Sequence, residues 1–180
     1  LQGCVVQTLQ LIVSHTPLWV WVLLAFLVSR GVAAFKPQPT SLGRLAVVPA
    51  LFTAWGVWSL TARYPDAWQA WALWLVGLAL GACIGWMLLR HVHMHVDPAS
   101  GALWRGADYS LLPLLLVTFL VKYGFEVAFA MSPALVADAG FRAAYLLLSG
   151  GLSGIFVGKF CRYLGAARLL TMRGRQAPAN

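Results

Sequence analysis

Long apolar runs separated by short polar segments dominate the chain, and they predict a bundle of α-helices that cross a membrane. The predicted helices lie at about residues 17–35, 42–62, 66–90, 109–131 and 141–164. Each run is close to or above the roughly 20 apolar residues that one crossing requires. The predicted fold class is therefore all-α, a bundle of five transmembrane helices.

Local signals at the helix ends agree with these boundaries. Thr16-Pro17 combines an N-cap residue with the proline favoured at a first helical position, and Gly165 is placed to cap the last helix. We therefore expect residues 1–164 to form a single transmembrane domain and residues 165–180 to form a basic cytoplasmic tail.

The segment between helices three and four has a different periodicity. Residues 92–106 alternate in period two on both sides of a turn-forming cluster, Asp97-Pro-Ala-Ser-Gly101. This pattern is typical of two short strands joined by a turn. It predicts a short β-hairpin on the cytoplasmic side of the membrane.

Composition supports the membrane assignment. Of the 180 residues, 61% are hydrophobic and only 10% are charged, and the mean hydropathy is +0.77. A soluble globular domain carries about 25% charged residues. The composition excludes a soluble fold, and we expect a multi-pass protein of a bacterial inner membrane with the lipid bilayer as its main partner.

The distribution of basic residues predicts the orientation. Ten lysine and arginine residues flank the linker after helix one, the predicted hairpin and the C-terminus, whereas only Arg63 and Arg142 flank the opposite helix ends. Basic loops stay in the cytoplasm. We therefore predict N-out, C-in, which requires an odd number of crossings. The net charge of +8 then reflects topology, and we expect no nucleic-acid partner.

Tryptophan is concentrated on the predicted outer side. Six tryptophans fall at the outer ends of helices one to three: Trp19, Trp21, Trp55, Trp58, Trp68 and Trp71. Such a belt anchors helices at the interface. The alternative is an aromatic-lined pocket for a lipid, a quinone or a haem edge.

Two helices carry glycines at a spacing of four, Gly77, Gly81 and Gly85 in helix three and Gly150, Gly154 and Gly158 in helix five. Each set forms a smooth stripe that allows close helix packing. The stripes predict packing within the bundle, or else a seam for a homo-oligomer or another membrane protein. With Pro49 and Pro113 at matching positions of the preceding helices, they also suggest an internal repeat about an axis along the membrane normal.

Lys122 and Glu126 are opposite charges within one predicted crossing, four residues apart on one helix face. Charges at membrane depth are costly and usually face the bundle interior. We expect both to face inward, within ion-pair reach of each other or of Arg142. Either a structural ion pair or a binding site at these three residues fits the pattern.

Three histidines alternate along the predicted hairpin, so that His91, His93 and His95 share one face of a strand. Imidazole binds borderline metals, but a histidine-rich solvated face has the same pattern. We predict no cofactor, while a haem or metal remains open. No catalytic motif is present, and enzymatic activity is not the favoured interpretation.

The order of several loop and turn motifs resembles the small CcdC-like inner-membrane proteins. The shared features are Lys36-Pro-Gln-Pro-Thr-Ser-Leu-Gly-Arg44 leading to Pro49, a glycine-striped helix ending at Arg90, then Val96-Asp97-Pro-Ala-Ser-Gly101-Ala-Leu-Trp-Arg105 and Leu112-Pro113. The resemblance covers about residues 30 to 125. It implies a context of cytochrome c maturation, but the chain has no CxxC motif.

Three functions follow as hypotheses. The glycine stripes and the lack of catalytic motifs favour a non-enzymatic interaction or assembly component. Lys122 and Glu126 favour a small transporter or permeation unit. The histidines and tryptophans leave a haem-, quinone- or metal-binding membrane protein as the third.

Overall fold

The computed structural model describes residues 17–36, 38–39, 41–89, 94–96 and 103–176. Five α-helices form the body of this part of the chain: α1 Leu18–Ala33, α2 Leu42–Arg63, α3 Trp68–Leu88, α4 Leu111–Met131 and α5 Ala139–Gln176. A 3-10 turn at Pro133–Val136 joins α4 to α5, and three short strands lie at Gln38–Pro39, Met94–Val96 and Leu103–Arg105.

The prediction of five transmembrane helices is wrong. Within the described residues, four helices, α2 to α5, are long and apolar enough to cross a membrane. Helix α1 has 16 residues, about 24 Å at 1.5 Å per residue, which falls short of the hydrocarbon core of about 30 Å. The four long apolar helices indicate a multi-pass membrane protein, and the predicted N-out, C-in orientation, which needs an odd number of crossings, does not fit these four.

The prediction of a two-stranded β-hairpin is also corrected, because the described strands form a sheet of three. Met94–Val96 pairs antiparallel with Leu103–Arg105, but Gln38–Pro39 from the linker after α1 pairs with the other edge of Leu103–Arg105. The three segments form one sheet in the order β1, β3, β2. The predicted turn cluster lies outside the described residues. An isolated two-stranded hairpin is marginally stable, and the third strand supplies backbone partners that periodicity in one segment cannot reveal.

Helix α5 is longer than predicted. It continues through Gly165 to Gln176, so the described part of the expected tail is helical. An interior glycine costs only about 1 kcal/mol relative to alanine, and Gly165 therefore does not end the helix.

Helices α3 and α5 run in the same direction and pack at backbone distance. A Cβ atom at Gly81 would collide with the carbonyl oxygen of Gly151, and one at Gly154 would collide with that of Leu78. Gly81 and Gly154 are separated by the same number of residues as Leu78 and Gly151. Exchanging α3 and α5 therefore turns one contact into the other, which is the relation produced by an approximate two-fold axis. The same relation holds for the other glycines of the stripes, Gly77 with Gly150 and Gly85 with Gly158.

The remaining helices surround this pair. Helix α2 packs against α5, whereas α4 packs against α1. The two-fold relation is thus strong between α3 and α5 but does not extend to α2 and α4. An apolar core joins α1, α2, α4 and α5 through Val20, Leu27, Val48, Phe52, Leu115, Phe119 and Phe156.

Candidate functional site

Lys122 lies in the interior of the bundle, near the middle of α4. Its side chain is almost inaccessible, because only 4% of the residue surface is exposed. The Nζ atom donates a hydrogen bond of 2.8 Å to the hydroxyl of Ser149 on α5. It also lies 5.9 Å from the centre of the Trp55 ring on α2, within the range of a cation–π interaction. Three helices therefore enclose one ammonium group.

Glu126 has a different partner from those predicted. Its carboxylate forms an ion pair with Arg63 at the end of α2 and accepts a 2.9 Å hydrogen bond from the hydroxyl of Ser59. Arg63 also lies over the Phe129 ring, 4.6 Å from its centre. Of the expected partners, Lys122 bonds to Ser149, and no ion pair joins Arg142 to Glu126 within the described residues.

Arg142 lies at the start of α5, where its backbone N–H donates to the carbonyl of Asp138 at 3.0 Å. It acts electrostatically on Tyr64, the residue that follows α2. Burial raises the pKa of the Tyr64 phenol above its ordinary value, while the charges of Arg142 and Arg63 partly oppose this rise. The Tyr64 hydroxyl donates to the carbonyl of Val136 at 3.4 Å. Arg142 therefore lies in the first turn of α5, close to Tyr64 and to the end of α2 that carries Arg63.

A second buried charged cluster, which the sequence analysis missed, lies at the opposite end of the bundle. Lys159 on α5 and Asp108, just before α4, form an ion pair of 2.8 Å with side-chain exposures of 4% and 3%. Ser110 accepts a 2.8 Å hydrogen bond from Lys159 and donates one of 2.7 Å to Asp108. The Tyr163 hydroxyl donates to Asp108 at 3.4 Å.

Each member of this second cluster has an ordinary local role in the sequence, so no local pattern predicts the pair. Lys159 lies near the basic end of the last predicted helix, and Asp108 directly precedes the predicted helix at 109–131. Tertiary packing brings them together, since the Asp108 backbone N–H also bonds to the carbonyl of Ala34 after α1, at 2.9 Å. The signal in the sequence that could have indicated a buried Lys159 is its position directly after Gly158, the last glycine of the stripe on α5.

A buried stripe on α5 connects the levels of the two clusters. Its members follow one another at spacings of three and four residues and are all almost fully buried: Tyr145, Ser149, Ser153, Phe156, Lys159 and Tyr163. The Ser153 hydroxyl lies 2.9 Å from the carbonyl of Ser149 and 3.2 Å from that of Phe52. We call these six residues the α5 stripe.

One aromatic contact interrupts the polar part of the α5 stripe. Phe156 stacks on Phe52 of α2 with ring centres 5.1 Å apart and an interplanar angle of 14°. The stack separates Ser153 from Lys159 along the helix. It leaves a polar half with Lys122 and Glu126, and another with Lys159 and Asp108.

Some buried polar atoms lack a hydrogen-bond partner within the described residues. They are Oγ1 of Thr53, Nε1 of Trp74 and Oγ1 of Thr118. Thr118 is completely buried on α4, one turn before Lys122. Such buried polar atoms without a partner are rare in folded proteins. The Thr118 hydroxyl therefore leaves hydrogen-bonding capacity unused near Lys122.

The glycines of the two stripes contact each other's helices within the chain. Each would place a Cβ atom against backbone of the partner helix. These contacts support packing within the bundle, whereas the seam for a homo-oligomer or another membrane protein stays a prediction.

The predicted metal ligands fall mostly outside the described residues. His91 and His93 lie in the undescribed segment before the second strand, and only the backbone of His95, opposite Trp104, is described. No group of three or more potential metal ligands occurs within the described residues.

An apolar groove of about 580 Å³ lies between α1 and α2. It is lined by Val22, Leu23, Phe26, Leu51, Ala54, Trp55 and Trp58. Trp58, Trp68 and Trp21 are exposed, whereas Trp55 both lines this groove and lies within cation–π range of Lys122.

Comparison with known proteins links the chain to a family. No curated protein and no solved structure matches the chain. Nothing in the comparisons supports the CcdC-like resemblance. One family model matches residues 3–179, nearly the entire length. The chain therefore belongs to DUF6622, a family of unknown function.

Proposed function

We propose that the protein is a small transport or permeation unit that moves a small ion through the membrane along the α5 stripe. One observation carries this proposal: a buried ammonium, Lys122, lies near mid-span and bonds to Ser149 of the stripe. Ionisable residues inside transmembrane bundles are rare and mark substrate or ion pathways.

The partner of Lys122 distinguishes this arrangement from a purely structural ion pair. A buried charge is normally compensated by an opposite charge and by further hydrogen bonds. The nearby carboxylate of Glu126 is engaged by Arg63, and Lys122 is left with the neutral hydroxyl of Ser149. Such an arrangement costs stability, which favours a functional reason for keeping the charge.

The arrangement along α5 supports a path with one barrier. Polar and charged side chains occupy both halves of the bundle, and the Phe52–Phe156 stack lies between them. An apolar constriction within an otherwise polar path is one way in which membrane pores are gated. Movement of one ring would connect the two halves.

The assembly hypothesis has less support. It was motivated by the glycine stripes, and these pack against each other within one chain.

Ion flux into liposomes containing the purified full chain tests the proposal. We expect ion movement with wild-type protein and its loss with Lys122→Met, because the methionine retains the volume but removes the charge. The matched control is Arg162→Gln, which removes a cation that lies over the Trp86 ring, 5.2 Å from its centre and outside the α5 stripe.

The control should retain wild-type flux, and all three proteins should show similar thermal stability in detergent. Absence of flux of any tested ion with folded, reconstituted wild-type protein would refute the proposal. Equal ion flux with wild type and with Lys122→Met would show that Lys122 takes no part in ion movement.

A further inference from the structure

The charges inside the described part of the bundle leave one cation without a carboxylate. The carboxylate of Glu126 forms an ion pair with Arg63, and that of Asp108 forms one with Lys159. Lys122 bonds to the hydroxyl of Ser149, and its attraction to Glu126 acts only at longer range. The interior around Lys122 therefore has an excess of one positive charge.

The groups around Lys122 also offer more hydrogen-bond donors than acceptors. An ammonium has three N–H donors, and within the described residues Ser149 is the acceptor found for it. Because the Ser149 oxygen accepts from Lys122, its own proton is available to donate. Thr118, one turn earlier on α4, has a completely buried hydroxyl with no partner among the described residues.

We infer that Lys122, Thr118 and Ser149 hold a small monovalent anion. The ammonium and the two hydroxyls would donate to it, and a single negative charge would compensate the excess positive charge. A small ion is required because these three side chains are almost completely buried. This inference identifies the transported ion as a small anion, and that identification rests on the proposed function.

A metal cation or an organic cation fits this site poorly. Like charge would repel it from Lys122, and the neighbouring Glu126 carboxylate is already bonded to Arg63 and Ser59. A multivalent anion would replace the excess positive charge by an excess negative one, which is equally costly in a low-dielectric interior.

Chloride titration of the purified full chain in detergent tests the inference. Chloride replaces gluconate at constant ionic strength, so that non-specific screening does not change. Thermal unfolding is followed together with tryptophan fluorescence, because Trp55 lies 5.9 Å from the Lys122 ammonium. We expect a saturable rise in unfolding temperature, since a ligand that binds only the folded state stabilises it.

Two substitutions locate the site. Lys122→Met should abolish the chloride response. Thr118→Val, which keeps the shape of the side chain, should weaken chloride binding about tenfold, as expected for one lost hydrogen bond to a charged group. The matched control Thr61→Val removes a hydroxyl that bonds to the carbonyls of Val57 and Trp58, and it should leave chloride binding unchanged.

Three outcomes would overturn the inference: no saturable response in wild type, the same response in Lys122→Met, or equal weakening by Thr118→Val and Thr61→Val. The transport proposal fails separately. Chloride binding without ion flux in liposomes would refute the transport proposal and leave the anion site supported. Ion flux without chloride binding would refute the anion site and leave the transport proposal supported.

Discussion

Lys122 and Glu126 lie four residues apart on α4, yet each charge has its partner on a different helix. The Lys122 ammonium bonds to Ser149 on α5, and the Glu126 carboxylate pairs with Arg63 on α2. A spacing of four allows an ion pair on a helix surface, but the neighbouring helices offer partners that compete with it.

The first prediction concerns the Arg63–Glu126 pair. We expect Arg63→Met and Glu126→Gln to be coupled by about 0.5–3 kcal/mol in a double-mutant cycle, because the two side chains are in direct contact. Unfolding in detergent measures the coupling. Lys122→Met combined with Glu126→Gln provides the comparison and should show a smaller coupling; the reverse order would mean that Lys122 is the true partner of Glu126.

The second prediction concerns the buried pair of Asp108 and Lys159. Asp108→Asn should destabilise the protein by about 3–5 kcal/mol, because it leaves a buried lysine without its counter-charge. Adding Lys159→Met to Asp108→Asn should recover a large part of this loss, as measured by unfolding in detergent. No recovery in the double variant would show that the hydrogen bonds of Asp108, rather than its charge, stabilise the fold.

The third prediction concerns the contact between α3 and α5. Gly81→Ala should destabilise the protein by about 1–3 kcal/mol, since its methyl group would collide with the Gly151 carbonyl on a rigid backbone. Gly124→Ala on α4 is the matched control, because nothing lies within 4 Å of its Cβ position. The control should be neutral or stabilising by roughly 0.5–1 kcal/mol. Thermal unfolding measures the stability of both variants. Equal stability of Gly81→Ala and Gly124→Ala would contradict the close packing of α3 against α5.

The fourth prediction concerns the stack of Phe52 and Phe156. If the stack is the barrier in the proposed path, Phe156→Leu should increase ion flux into liposomes, because the smaller side chain cannot cover the Phe52 ring. Phe141→Leu is the control, since Phe141 packs against Phe125 and Phe129 at the far end of α4. An unchanged flux in Phe156→Leu, at wild-type levels of folded protein, would place the barrier elsewhere.

Part of the candidate site was predictable from the sequence. Lys122 stood out because a charge in an apolar run is costly wherever the helix packs, and it is indeed buried. Its partner was not predictable. Ser149 lies on another helix, and the choice among Ser149, Glu126 and Arg142 depends on how α4 and α5 are rotated against each other. The Asp108–Lys159 cluster was missed for the same reason.

The sequence by itself determined the chemical class of this protein. Long apolar runs and few charges require a chain that buries its backbone polar groups in helices within a membrane, and glycines at a spacing of four allow close helix contacts. Tertiary structure decided which helices meet. Glycine stripes on α3 and α5 could have packed against another molecule, and they pack together because their backbones fit in parallel. The third strand of the sheet and the partners of each charge were likewise decided by contacts between segments distant in sequence, which no local pattern encodes.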